Sequence, residues 1–214
     1  MKTKTIIASI VAVLFIVLLN QFLTGQTPSV SSASNSAEKA LITFKKLVTG
    51  DNYKSYGLKS ADVVQQSTLG NGIEIFYIGL DDLKKYEAGQ SANILKSQNR
   101  VVYPILSSGT TISSAELENK NGQWETRSFG RASAIRNYTD NVAKWKADSI
   151  QQTFLLRIPS LAIEFYAAQV GTKMYVAYIG SEQLTDIPND KLTPLEDVLL
   201  KLKPAAVEYN GLPR

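Results

Sequence analysis

Residues 100–129 place the tightest constraint on the fold. "RVVYPIL", "TTISSAELENK" and "QWETRSF" are three strand-like runs, and Asn121-Gly122 separates the last two. Asn-Gly tolerates the positive φ that a two-residue turn requires at both central positions, so it predicts an antiparallel hairpin. Within the middle run, Ala115 and Leu117 alternate with Ser114, Glu116 and Glu118, which predicts one apolar and one wet face. Pro104 has no N–H to donate to a ladder, which predicts an edge strand or a bulge and leaves Tyr103 near the surface.

The remaining pattern is mixed. Ala40, Leu41, Phe44, Leu47 and Val48 fall at helical spacing, with Ser36 as N-cap and Gly50 just past the end. Residues 61–78 read as two strands around Gly70-Asn71-Gly72, and 80–98 as short helical turns split by Gly89. Residues 133–147 predict a second long helix through Ile135, Tyr138, Val142 and Trp145. "TFLLRI", "LAIEFYAA" and "KMYVAYIG" then predict three more strands. A last helix covers 193–202, with Pro194 in its first turn, and stops before Pro204.

"YIGLDDL" at 77–83 returns as "YIGSEQL" at 178–184. At the same offset Ile73, Ile75 and Tyr77 fall on Met174, Val176 and Tyr178, one alternating face of a strand. Asp81 or Ser181 is then placed to cap a short helical turn. Together with the preceding helices, this predicts an α+β fold of two related helix-plus-antiparallel-sheet units, at 37–130 and 131–214. The order resembles the cystatin-like and PepSY-like arrangements of small extracytoplasmic modules. That likeness concerns arrangement and implies no residue roles.

Residues 1–36 carry a localisation signal. Lys2 and Lys4 precede Ile6–Leu19, a run that is apolar apart from Ser9. Such a start holds the N-terminus in the cytoplasm and sends the rest across the membrane. As a helix the run spans about 21 Å, short of a hydrocarbon core of about 30 Å unless it extends to Leu23. Residues 1–25 therefore read as a signal peptide or a retained anchor. Ser31 and Ala33 would suit cleavage but lie far downstream. Residues 26–36 read as a Ser-rich tether, which makes the chain membrane-anchored on the extracytoplasmic side, or secreted or periplasmic after cleavage.

Composition closes several routes. The chain contains neither Cys nor His, so these 214 residues hold no thiol nucleophile, no disulfide and no Ser-His-Asp triad. Of 23 basic residues, Lys2 and Lys4 lie in the leading segment, leaving 21 against 19 acidic ones. No Lys/Arg cluster stands out, which argues against a nucleic-acid partner. No cofactor motif appears. Asp81-Asp82 suit a helix start, Glu116 and Glu118 a solvated strand face, and Asp186, Asn189 and Asp190 lack calcium-loop spacing. Asn137-Tyr138-Thr139 matches a glycosylation sequon inside a predicted helix.

Aromatic residues remain. Tyr166 shares a face with Glu164, opposite Ile163 and Phe165, so Tyr103 and Tyr166 are the candidate surface aromatics beside strand edges, suited to peptide capture. The expectation is a non-enzymatic extracytoplasmic binding or scaffold protein that meets the membrane through its N-terminal segment and takes a protein or peptide partner. The alternatives are a secreted carboxylate-based hydrolase using acids such as Asp82, Glu116 or Glu164, or a carrier of an apolar ligand.

Overall fold

A computed structural model describes residues 30–145, 149–179, 187 and 191–211. The fold is α+β, and one mostly antiparallel sheet runs through both halves of the chain. Helix α1 (Val30–Leu47) comes first, followed by a 3-10 turn at Tyr53–Tyr56 and the short α2 (Asp62–Gln65). Strands β1 (Thr68–Leu69) and β2 (Ile73–Tyr77) lead to α3 (Leu80–Lys84). A meander of β3 (Lys96–Ser107), β4 (Thr110–Lys120) and β5 (Gln123–Phe129) follows. Helix α4 (Ala132–Lys144) then precedes a second meander, β6 (Gln152–Ile158), β7 (Ile163–Val170) and β8 (Lys173–Tyr178). The short β9 (Thr193–Pro194) and α5 (Leu195–Glu208) close the chain.

The strand order is β5-β4-β3-β2-β6-β7-β8-β9, with β1 also on β3. The halves join through the parallel pair β2–β6, in which Ile75 lies opposite Leu155. Both hairpins of the first meander turn on a residue followed by Gly in left-handed conformation. These are Ser108-Gly109 (φ 48° and 76°) and Asn121-Gly122 (φ 54° and 86°), as a two-residue turn requires.

Both faces of the sheet are covered, and the alternation of strand residues sets which helix covers which. On the front, Ile73, Ile75, Val102, Leu155 and Tyr166 pack with Ile135, Tyr138 and Trp145 around α4. On the back, Val101, Tyr103, Ile105 and Leu117 pack under α1, while Phe154, Leu156, Phe165 and Val176 pack under α3 and α5.

Several expectations change. The Ser-rich stretch is helical from Val30 onward, so 30–36 are no tether. Ala33, Ala37 and Ala40 form a buried small-residue stripe that seats α1 closely on the sheet, and that packing outweighs the weak helix propensity of Ser. Pro204 lies inside α5, where it forfeits one helical hydrogen bond, to the carbonyl of Leu200 on the exposed face. The cap of α3 is Gly79, with no side-chain hydrogen bond, so Asp81 does not cap. Ser181, Asp186, Asn189 and Asp190 lie outside the described residues.

The repeated heptapeptide does not mark equivalent places. Both copies begin as interior strands, but β2 has one antiparallel and one parallel neighbour, β3 and β6, whereas both neighbours of β8, β7 and β9, are antiparallel. Ile73 and Ile75 face the front core, while Met174, Val176 and Tyr178 face the back. A bulge between Ile75 and Phe76 also shifts the register of β2, so Tyr77 and Tyr178 do not share an environment.

Among the described residues no helix is long and apolar enough to cross a membrane. Residues 1–29, on which the expected export signal falls, lie outside the described residues.

Candidate functional site: an apolar cleft and an arginine–carboxylate face

The cleft originates at Pro104. β1 and β2 are not a hairpin around Gly70-Asn71-Gly72; both pair along β3, Leu69 opposite Ile105 and Ile73 opposite Val102. They are one strand broken where it passes Pro104, with three residues against two. The Pro104 carbonyl accepts the Gly70 N–H at 2.8 Å. A residue of an extended strand aims its N and O at the same neighbour, so the missing N–H of Pro104 falls at the break. β3 is accordingly an interior strand that keeps its proline by a bulge in its partner, not the accessible edge expected.

The break and α4 enclose a cleft of ≈ 590 Å³. Its sheet wall is residues 69–73, Pro104, Leu106 and Thr153, and its helix wall is Tyr138, Thr139, Val142 and Ala143. The hydroxyls on this lining already have partners, while the Asn71 side chain is exposed. Tyr138 donates to Thr153 Oγ1 at 2.6 Å, and Thr139 donates to backbone carbonyls of its own helix. Burial, partly offset by the Thr153 hydrogen bond, pushes the Tyr138 hydroxyl up to about 12, so at neutral pH it is an uncharged donor. The same stacking of α4 puts the Tyr138 and Tyr166 rings edge to face, centroids 5.7 Å apart.

Where α4 begins, the front face carries charge in place of apolar groups. Arg157, in the apolar run of β6, donates from Nε to Glu164 at 2.8 Å and from Nη2 to Glu116 at 3.0 Å. Arg100 holds Glu118 through Nε and Nη2 at 3.0 and 2.8 Å. Arg131, just ahead of α4, pairs with both oxygens of Glu164, and Arg127 reaches Glu118 at 3.3 Å. Burial alone would raise the Glu116 carboxyl, but the hydrogen bond and charge of Arg157, with the charges of Arg100 and Arg131, hold it below its ordinary value. The Arg100 hydrogen bond, with its charge and those of Arg127 and Lys120, does the same for Glu118 against the opposing effect of burial. These carboxylates are ionised acceptors, committed to guanidinium groups.

The candidate residues read from the amino-acid pattern sit differently from expectation. Tyr103 is 4% exposed and Tyr166 2%. Tyr103 donates to the Val30 carbonyl at 2.5 Å, tying α1 to β3, and Tyr166 donates to the Ala134 carbonyl at 2.8 Å under α4. Neither is a surface aromatic. The alternation at 163–166 separates two buried faces, since helices cover both sides of β7. Glu116, Glu118 and Glu164 converge, but upon arginines. Asp82 lies apart, paired with Lys96 at 2.6 Å. Among the described residues no three acidic side chains gather as a metal ion requires. The cleft itself is not legible in the sequence. Pro104 and Gly70-Asn71-Gly72 each stand out there, but nothing local shows that they are adjacent.

No protein-family model matches the chain, and no match was found among curated proteins or solved structures.

Proposed function

We propose that this chain is a non-enzymatic extracytoplasmic binding protein, held at the membrane or exported through residues 1–25. Its ligand is a small apolar molecule seated in the cleft between α4 and the break at residues 70–72. The observation that carries this reading is the cleft itself: its volume lies within the range of small-molecule sites, and its lining hydroxyls are already engaged by the protein. Such a lining rewards apolar surface, with the exposed Asn71 amide left for a polar end of the ligand.

Glu116 and Glu118 support the non-enzymatic side. A glycosidase-type general acid needs a carboxyl held protonated near neutral pH. Glu116 and Glu118 are shifted the opposite way by their arginines. The halves 37–130 and 131–214 are, in this reading, two helix-plus-meander units joined by β2–β6, and the near-balanced charge gives no footing to a nucleic-acid partner.

Two experiments test the proposal. An environment-sensitive naphthylamine dye titrated into the purified chain should bind saturably. Ala143→Trp, at the exposed rim of the cleft, should abolish that binding without moving the thermal midpoint; unsaturable or unchanged binding would refute the cleft as the ligand seat. Because the chain has no cysteine, Lys173→Cys gives a single label site on the surface. A membrane-impermeant maleimide should label it in intact spheroplasts, and labelling only after lysis would refute export.

A further inference from the structure

Arg136 stands apart from the other arginines. Among the described residues Arg100 and Arg127 pair with Glu118, Arg131 with Glu164, and Arg157 with Glu116 and Glu164. Arg136 meets no carboxylate among them, and Asp140, one turn further along α4, is not within ion-pair distance of it. Its guanidinium is nonetheless fixed, because Nη2 donates to the Thr111 carbonyl at 2.8 Å. That contact uses one of its N–H donors and leaves the rest of the fork open.

Both walls of the cleft set the position of this cation. Arg136, Thr139 and Ala143 are spaced i, i+3, i+7 and share one stripe of α4, and Thr139 and Ala143 belong to the helix wall. On the sheet side, Thr111 lies opposite Leu106 of the sheet wall. Arg136 therefore ties the helix to the sheet at the Leu106 end of the cleft. The lining carries no charged residue, so the charge at that end comes from Arg136.

We infer that the ligand of the cleft is an amphiphile, an apolar chain along the lining with a carboxylate head at Arg136. A single guanidinium balances a single negative charge, and its planar fork matches a planar carboxylate. The Asn71 amide is neutral and can hydrogen-bond an acid or an alcohol alike, so discrimination between heads falls to Arg136. The inference rests on the cleft being the ligand seat, a reading that concerns the apolar chain alone.

The test uses the purified full chain, with an uncharged naphthylamine dye as reporter. Decanoate and decanol share one chain, and each should displace the dye. Arg136→Gln should weaken displacement by decanoate about tenfold, the loss of one charge-assisted pair, and leave dye and decanol binding unchanged. Arg136→Lys should keep much of the decanoate affinity through its charge. Arg136→Glu should invert the preference, so that decylammonium displaces the dye more readily than decanoate does. A thermal melt checks that each variant is folded; Gln and Lys can both still donate to the Thr111 carbonyl. If dye and decanol bind but decanoate is indifferent to Arg136→Gln, the carboxylate head is overturned and the cleft stands. If the three ligands weaken equally in Arg136→Gln, its role is structural and the inference also falls. A native chain that holds neither dye nor decanol overturns the cleft and this inference together.

Discussion

The Pro104 carbonyl takes the N–H of Gly70 at 2.8 Å, and this one contact locates the break from which the cleft opens. An added Cβ at Gly70 would come to 3.1 Å from Pro104 Cβ, so strand and proline are already at close approach. Beyond Gly70 the strand resumes only at Ile73.

Gly72→Ala tests how tightly that break is packed. A Cβ there would meet Val30 Cγ1 at 2.5 Å and the Tyr103 ring at 2.9 Å. Because α1 is anchored at this point, the clash should cost about 1–3 kcal/mol, read as a lower midpoint in urea unfolding. An unchanged midpoint would mean that α1 does not seat on the break.

Tyr166 and Tyr103 should behave as core residues. Tyr166→Ala should lose about 3–5 kcal/mol of stability, and Tyr166→Phe about 1 kcal/mol for the hydrogen bond to Ala134. Tyr103→Phe should cost about as much, through its bond to Val30. Chemical denaturation of the three variants checks the ranking; a near-neutral Tyr166→Ala would contradict the burial.

Much of the fold is legible in the sequence, and the misreadings share a cause. Asn121-Gly122 and the spacing of Ile135 and Tyr138 each specify local structure, and the hairpin and α4 match them. Tyr103, Tyr166 and the Ser-rich start of α1 depart from expectation because their environment is set by elements distant in sequence. Period-2 alternation shows that a strand has two faces, but it does not show that helices cover both. Arg157, set among Phe154, Leu155, Leu156 and Ile158, is the readable sign of a buried ion network. Its partners come from β4 and β7, so only the strand order identifies them.

Arg157→Met removes the guanidinium shared by Glu116 and Glu164. Leaving the buried Glu116 and the partly buried Glu164 to their remaining arginines should cost about 3 kcal/mol. Glu116→Gln added to that variant should recover part of the loss, because a buried charge that has lost its best hydrogen-bonded partner is gone. Denaturation of single and double variants measures the coupling, and strict additivity would show that the network is not coupled.

Stability should fall in acid for a definite reason. Glu116 and Glu118 sit below the ordinary 4.5 when folded. Their contribution is therefore complete above 4.5 and is lost as pH drops through their folded values. Glu74 is opposite. Burial raises it despite a hydrogen bond from Gln152, so it favours the folded state below 4.5 and loses that contribution as pH rises through its folded value. Unfolding free energy should climb as pH falls toward 4.5 and then decline. In Glu74→Gln the initial climb should vanish and the acid decline should remain. A profile unchanged by that substitution would contradict the Glu74 assignment.

The most direct test of the central claim is an amide NMR titration of the chain with a medium-chain fatty alcohol, which is apolar and uncharged. Saturable shifts should concentrate at residues 69–73 and 138–143, the two walls of the cleft, and leave Glu116, Glu118 and Glu164 unmoved. Shifts scattered over the surface, or centred on the arginine–carboxylate face, would contradict the account.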